Sequence, residues 1–177
     1  CPGVECATGA LGHGLAIGVG MALELRYQAF LKTQHCAAFF GDVVYHPPRV
    51  FVVMGDGEMQ EGSVWEAAMH AARHKLSNLT VVVDYNKLQS AGPSEPFLDP
   101  LLQKWLAFGF MPRSVFGHDL QGLRAVFDGL WTDGPPTAII CDTIKGFGLP
   151  FAENDPHWHH RPEIGPELIA QMNEALS

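Results

Sequence analysis

Two side chains that carry hard oxygen ligands bracket one repeat of this sequence. Asp56, within Gly55-Asp56-Gly57, follows the run RVFVVM, and Asn86 follows LTVVVDY thirty residues later. A carboxylate and an amide oxygen on adjacent strand ends supply two of the six oxygens that Mg2+ takes. A nearby main-chain carbonyl and phosphate oxygens complete such a shell. Gly55 and Gly57 let the backbone approach a bulky anion, and the helix expected from about Met59 aims free N–H groups and its positive dipole end at it. These residue types therefore describe a cradle for a metal and a diphosphate. G-D-G alone is a short signal, because an Asp ahead of a helix also serves as a cap.

Such a cradle needs strands that end side by side. RVFVVMG is a continuous β-branched run of the kind found in buried parallel strands, and its strand is expected to end near Met54. Helical spacing follows, with Val64, Ala67, Ala68, Ala71, Ala72 and Leu76 on one face, and NLTVVVDYN returns to strand character. Upstream, Leu15, Val19, Ala22, Leu23, Tyr27, Phe30 and Leu31 predict a helix over His13–Gln34 whose small, apolar first half is buried. Downstream the pattern predicts a helix at 101–108, a strand at 113–116, a helix at 120–130, a strand at 137–141 and a final helix at 166–176. Alternating strands and helices imply an α/β fold, an open parallel sheet with helices on both faces. Ligands of such sheets sit at the carboxyl ends of the strands, where Asp56, Asn86 and Thr143 all fall.

The chain has 177 residues, enough for one domain with a single core, and is 47% hydrophobic and 17% charged. Its formal charge of −8, without a Lys/Arg cluster, argues against nucleic-acid and anionic-membrane surfaces. No apolar stretch reaches the roughly 18 residues of a membrane span, and the expectation is a cytoplasmic protein. Cys1, Cys6, Cys36 and Cys141 form no C-x-x-C pair and are expected as buried free thiols.

The G-D-G, the helical span and the strand-terminal Asn together resemble the thiamine diphosphate fingerprint. GDGEMQEGSVWEAAMHAA and VVDYNKLQ resemble transketolase in particular, and PGVECATGALGHGLAIGVGMAL, GHD and TIKGFG agree in order and spacing. The likeness is strongest to split transketolases, in which the diphosphate domain and the pyrimidine-binding domain are separate chains. It implies that Asp56, Asn86 and the main-chain carbonyl of Leu88 hold Mg2+, with Ca2+ or Mn2+ able to replace it. It also implies that the Gly57 N–H meets the cofactor diphosphate and that Gly9 and Leu11 line the aminopyrimidine ring.

Other residues carry two readings. Glu61, five positions after Asp56 in the expected first helical turn, suits the helix dipole. In the family the matching glutamate meets the catalytic glutamate of the partner domain, where a carboxylate pair can share a proton. Glu58 is a candidate cofactor contact, although a helix cap accounts for it better. The Gly- and Pro-rich TIKGFGLPFAENDPHWHHRP has the make-up of a lid. The resemblance puts a histidine of this loop, matched to His159, near the diphosphate, with His157 and His160 as neighbours that leave the register open. Zn2+ held by the three is disfavoured by their spacing. Lys145 either approaches the diphosphate or faces solvent, and His118 of GHD is read as structural.

The chain begins in the middle of the family pattern. It is expected to be a single diphosphate-binding domain over 1–177, without the family's N-terminal region and without a pyrimidine-binding domain. His13 stands where the family commonly has Gln, and 34–48 looks longer than the usual connection. The implied activity is transfer of a two-carbon ketol unit between sugars or sugar phosphates, in a homo- or hetero-oligomer with a pyrimidine-binding chain, the isolated chain being inactive. The alternatives are a non-catalytic or regulatory cofactor-binding subunit, or another thiamine diphosphate enzyme such as deoxyxylulose phosphate synthase.

Overall fold

A computed structural model describes residues 2–41, 44–90, 92–130, 133–159 and 163–175. Helix α1 (His13–Phe40) leads to strand β1 (Val50–Gly55), a 3-10 turn (Gly57–Gln60), α2 (Gly62–Arg73) and β2 (Leu79–Tyr85). A small hairpin, β3 (Leu88–Gln89) and β4 (Gly92–Pro93), precedes α3 (Glu95–Leu98) and α4 (Leu101–Ala107). Strand β5 (Met111–Phe116), α5 (Leu120–Asp128), β6 (Thr137–Asp142) and α6 (Pro166–Ala175) complete the order. The main sheet is parallel throughout, in the order β1-β2-β6-β5.

The order explains the layers. From β2 the chain passes over the place of β6 to lay down β5, then turns back through α5 to insert β6. Right-handed crossovers put helices of opposite travel on opposite faces. One face of the sheet, with Val52, Met54, Val81, Val83, Ala138 and Ile140, packs on Leu15 and Val19 of α1, Ala68 and Ala71 of α2, and Trp105 of α4. The other, with Ile139, Cys141, Val82 and Val115, packs on Leu123, Val126 and Phe127 of α5. This second layer does not cover β1, where Phe51 is 48% and Val53 74% exposed. Among the described residues β2 is the only strand paired with β1.

The expected open parallel sheet with helices on both faces is present, and several boundaries differ. Helix α1 continues six residues past Gln34, because HCAAFF holds no breaker before Gly41, which turns left-handed at φ 83°. Only one face of its first half is buried: Leu15, Gly18, Val19 and Ala22 are inside, while Ala16, Ile17 and Gly20 are outside. Tyr27, Phe30 and Leu31, expected on its apolar stripe, are also exposed. Helix α2 starts at Gly62 rather than Met59, since GEMQ closes as a 3-10 turn, and Leu76 is buried beyond the helix end. The free thiols divide: Cys141 is buried, Cys36 half-buried and Cys6 exposed, while Cys1 lies outside the described residues. Among the described residues no helix is long and apolar enough to cross a membrane.

Candidate functional site

The parallel register sets Gly55 of β1 beside Asp84 of β2, and the Asp56 N–H continues the ladder to the Asp84 carbonyl at 3.1 Å. Asp56 therefore enters the corner between the two strand ends, where it is only 2% exposed. Its Oδ1 accepts from the Gly57 N–H at 2.7 Å. Its Oδ2 accepts from the Lys87 N–H and the Ser94 hydroxyl, each at 2.7 Å. All three donors are neutral, and no ion pair to Asp56 forms among the described residues. A buried carboxylate without a counter-charge is costly, and a divalent cation would supply one.

The second wall follows from one backbone choice. Lys87 takes φ 66°, an uncommon left-handed conformation that turns its N–H toward Asp56. Asn86 Oδ1 faces the same turn and accepts the Leu88 N–H at 3.0 Å. Leu88 is paired with Pro93, which has no N–H, so the Leu88 carbonyl takes nothing from that strand. Asp56, Asn86 and the Leu88 carbonyl thus form a hard-oxygen set that fits Mg2+. No group of three His, Cys, Asp or Glu gathers among the described residues, so the set depends on an amide and a carbonyl. The Gly57 N–H, expected to meet the diphosphate, is turned to Asp56 here.

Glu58 does more than cap a turn. Its Oε1 accepts the Gly12 N–H at 2.8 Å, and the Ser63 hydroxyl donates to the Gly12 carbonyl at 3.0 Å. Both backbone groups of Gly12 are thereby clipped to the segment that follows Asp56, bringing the loop of Gly9 and Leu11 to the metal corner. Gly9 and Leu11 are exposed. Glu61 caps α2 with extended backbone instead of lying in its first turn, and its side chain makes no cap hydrogen bond. The carboxylate is exposed beside Gly12, at the favourable end of the α2 dipole. Gly12 has φ 82°, and an added Cβ would overlap Ser63 Oγ and stand 2.8 Å from Glu61 Cβ. Gly12→Ala is expected to cost about 3 kcal/mol in urea unfolding, combining left-handed strain with overpacking.

The third wall comes from β6. Thr143 donates to Asp84 Oδ1, and Asp84 Oδ2 accepts from Asn86 Nδ2 at 3.4 Å. A cleft of about 450 Å³ opens between Asn86, Lys87 and Leu88 on one side and Asp142, Thr143, Ile144 and Asn154 on the other. Lys87 Nζ lies 3.0 Å from Asp142, and this hydrogen bond holds the ammonium pKa above its ordinary value, outweighing partial burial. Burial, then the Asp99 hydrogen bond, raises the Tyr85 phenol, while burial, then the Asp84 charge, raises the Cys141 thiol.

The segment expected as a lid is a chain of tight turns. Lys145 is half-buried within it, and its carbonyl accepts the Asn154 N–H at 2.9 Å. His159 is half-buried, whereas His157 is exposed with Nδ1 2.7 Å from Asp155. His160 lies outside the described residues. His118 Nε2 accepts the Ile144 N–H at 2.9 Å. Sequence reasoning missed the Ser94 bond to Asp56 and the Glu58 bond to Gly12. They join residues 38 and 46 positions apart, with no local pattern to announce them.

Residues 1–177 match the family described as "Transketolase, thiamine diphosphate binding domain". One of the two chains of the apulose-4-phosphate transketolase of Actinobacillus succinogenes is 38% identical, over 98% of this chain and 58% of that protein. The 6-deoxy-6-sulfo-D-fructose transketolase subunit of a Clostridium species is 36% identical, over 97% of this chain and 59% of that one. The chain thus spans a little over half the length of these curated relatives. The crystal structure of transketolase from Campylobacter jejuni superposes with a TM-score of 0.80 at 30% identity, covering 98% of this chain and 26% of that one.

Proposed function

Because the chain belongs to the transketolase family through its thiamine diphosphate-binding domain, we propose that it is the cofactor-holding subunit of an enzyme that moves a two-carbon ketol unit between sugars or sugar phosphates. The observation that carries this reading is Asp56, a buried carboxylate without a counter-charge at the joint end of two parallel strands. Asp56, Asn86 Oδ1 and the Leu88 carbonyl would hold Mg2+, or Ca2+ or Mn2+ in its place, and the metal would tie the cofactor diphosphate to the strand ends. Gly57, Lys145 and His159 are the candidate partners of the diphosphate oxygens, with Glu58 holding the loop of Gly9 and Leu11 along the aminopyrimidine ring. When bound, thiamine diphosphate supplies the electron sink that makes a ketose carbon–carbon bond breakable.

Glu61 is assigned the contact to a second chain. It is exposed, free of any capping bond, and adjacent to the loop that faces the ring. Both bacterial relatives are named as single subunits of a transketolase, which supports a separate pyrimidine-binding partner. Calorimetric titration with thiamine diphosphate, with Mg2+ and with excess chelator, tests the reading. Saturable one-site binding that disappears with the chelator is expected. Equal binding in both conditions, or none in either, defeats it.

A further inference from the structure

We propose that His118 is a positioning residue that latches the loop from Thr143 to Asn154 in place as one wall of the cleft facing Asn86. The proposal rests on the cofactor reading for its purpose and on the following geometry for its substance. His118 occupies the single position between the Gly117 N–H, bonded to the Asp142 carbonyl at 2.7 Å, and Asp119, whose side chain caps α5 through the Gln121 N–H. Its backbone is therefore held by the strand on one side and the helix on the other. Its ring lies on Phe147, with centroids 3.8 Å apart and planes 14° from parallel, while Nε2 accepts the Ile144 N–H at 2.9 Å. Accepting at Nε2 places the proton of the neutral ring on Nδ1.

The loop is organised to respond as a unit. The Phe147 N–H bonds the Ile144 carbonyl at 3.1 Å, and the Asn154 N–H bonds the Lys145 carbonyl at 2.9 Å. Gly146 has φ 75°, and its missing Cβ would stand 2.6 Å from the Ala152 carbonyl oxygen, so the two limbs are in backbone contact. The Thr143 N–H bonds the Tyr85 carbonyl at 3.2 Å, and its hydroxyl bonds Asp84. Beyond Thr143, the hydrogen bond and the stack of His118 tie this self-closed loop to the end of β5. Thr143, Ile144 and Asn154 line the cleft, and Lys145 is the turn residue between the two latched positions. A loop released from the latch would spend time away from the cleft, and apparent affinity falls by the fraction of time that the competent position is held.

Two substitutions separate the parts of the latch. His118→Phe keeps a ring for Phe147 and leaves the Ile144 N–H without its acceptor. His118→Gln keeps an acceptor near the place of Nε2 and loses the ring. Hydrogen exchange at the Ile144 amide is expected to speed up at least about tenfold in His118→Phe and to stay close to the parent in His118→Gln. Calorimetry with thiamine diphosphate and Mg2+ is expected to show about tenfold weaker binding for His118→Phe, and binding within about threefold of the parent for His118→Gln. Parent-like exchange in His118→Phe, or parent-like affinity despite fast exchange, overturns the proposal. So does equal weakening in both variants, which marks general loosening rather than a lost acceptor. If the unaltered chain fails to bind thiamine diphosphate, the functional reading falls, and the exchange comparison still decides whether His118 holds the loop.

Discussion

Asp56→Ala is expected to erase the thermal stabilisation that thiamine diphosphate and Mg2+ give the unaltered chain. At a hundredfold excess over Kd a ligand adds about 2.7 kcal/mol to the unfolding free energy, and a domain of this size gains about 2–4 °C per kcal/mol, so the shift at stake is about 8 °C. The substitution removes the carboxylate with which the metal would bridge protein and diphosphate. It also leaves the Lys87 N–H and Ser94 hydroxyl without their acceptor, so the variant melts lower before any ligand is added. Ser94→Ala separates the two effects. It costs about 1.5–3 kcal/mol, the worth of a hydrogen bond to a charged group, while leaving the metal ligands in place and most of the ligand-dependent shift intact. A full shift in Asp56→Ala, with Ser94→Ala as the comparison, rules out the metal assignment.

The second large effect concerns turnover. The isolated chain, saturated with cofactor and Mg2+, is expected to transfer no measurable two-carbon unit from a ketose to an aldose. Gly9, Leu11 and Glu61 are all exposed, so a cofactor seated on this surface is open to water on the side where its ring must be activated. Glu58, the acid nearest the ring-facing loop in the metal segment, is committed to the Gly12 N–H. Addition of a pyrimidine-binding chain is expected to produce transfer. Glu61→Gln should then lower the rate about 10²-fold or more, the range of a proton-transferring contact, with little change in cofactor affinity. Robust transfer by the chain alone, absent in an Asp56→Ala control preparation, would contradict the need for a partner.

The parts of this fold that the sequence announced are those governed by local pattern. RVFVVMG and LTVVVDY were legible as buried parallel strands because β-branched runs of that length have few alternatives, and their ends placed Asp56 and Asn86 side by side. The start of α2 was less legible, because GEMQEG satisfies a 3-10 turn as readily as the first turn of a helix, and only the packing of Met59 decides between them. That shift moved Glu61 from a helical turn to the cap position and freed its side chain. Ser94, Glu58 and His118 act across 26 to 46 residues, so their partners could not be read from spacing. GHD was visible as a motif, while its acceptor role depends on where the loop after β6 returns.

The uncovered side of β1 has a colloidal consequence. A sheet margin flanked by Phe51 and Val53 offers a second molecule both a row of backbone donors and acceptors and an apolar strip on which to lie. The encounter is bimolecular, so losses in storage grow with the square of concentration, and dilute handling preserves the chain better than added salt. Val53→Lys sets a charge on that strip and disfavours the encounter, without touching the corner that holds Asp56.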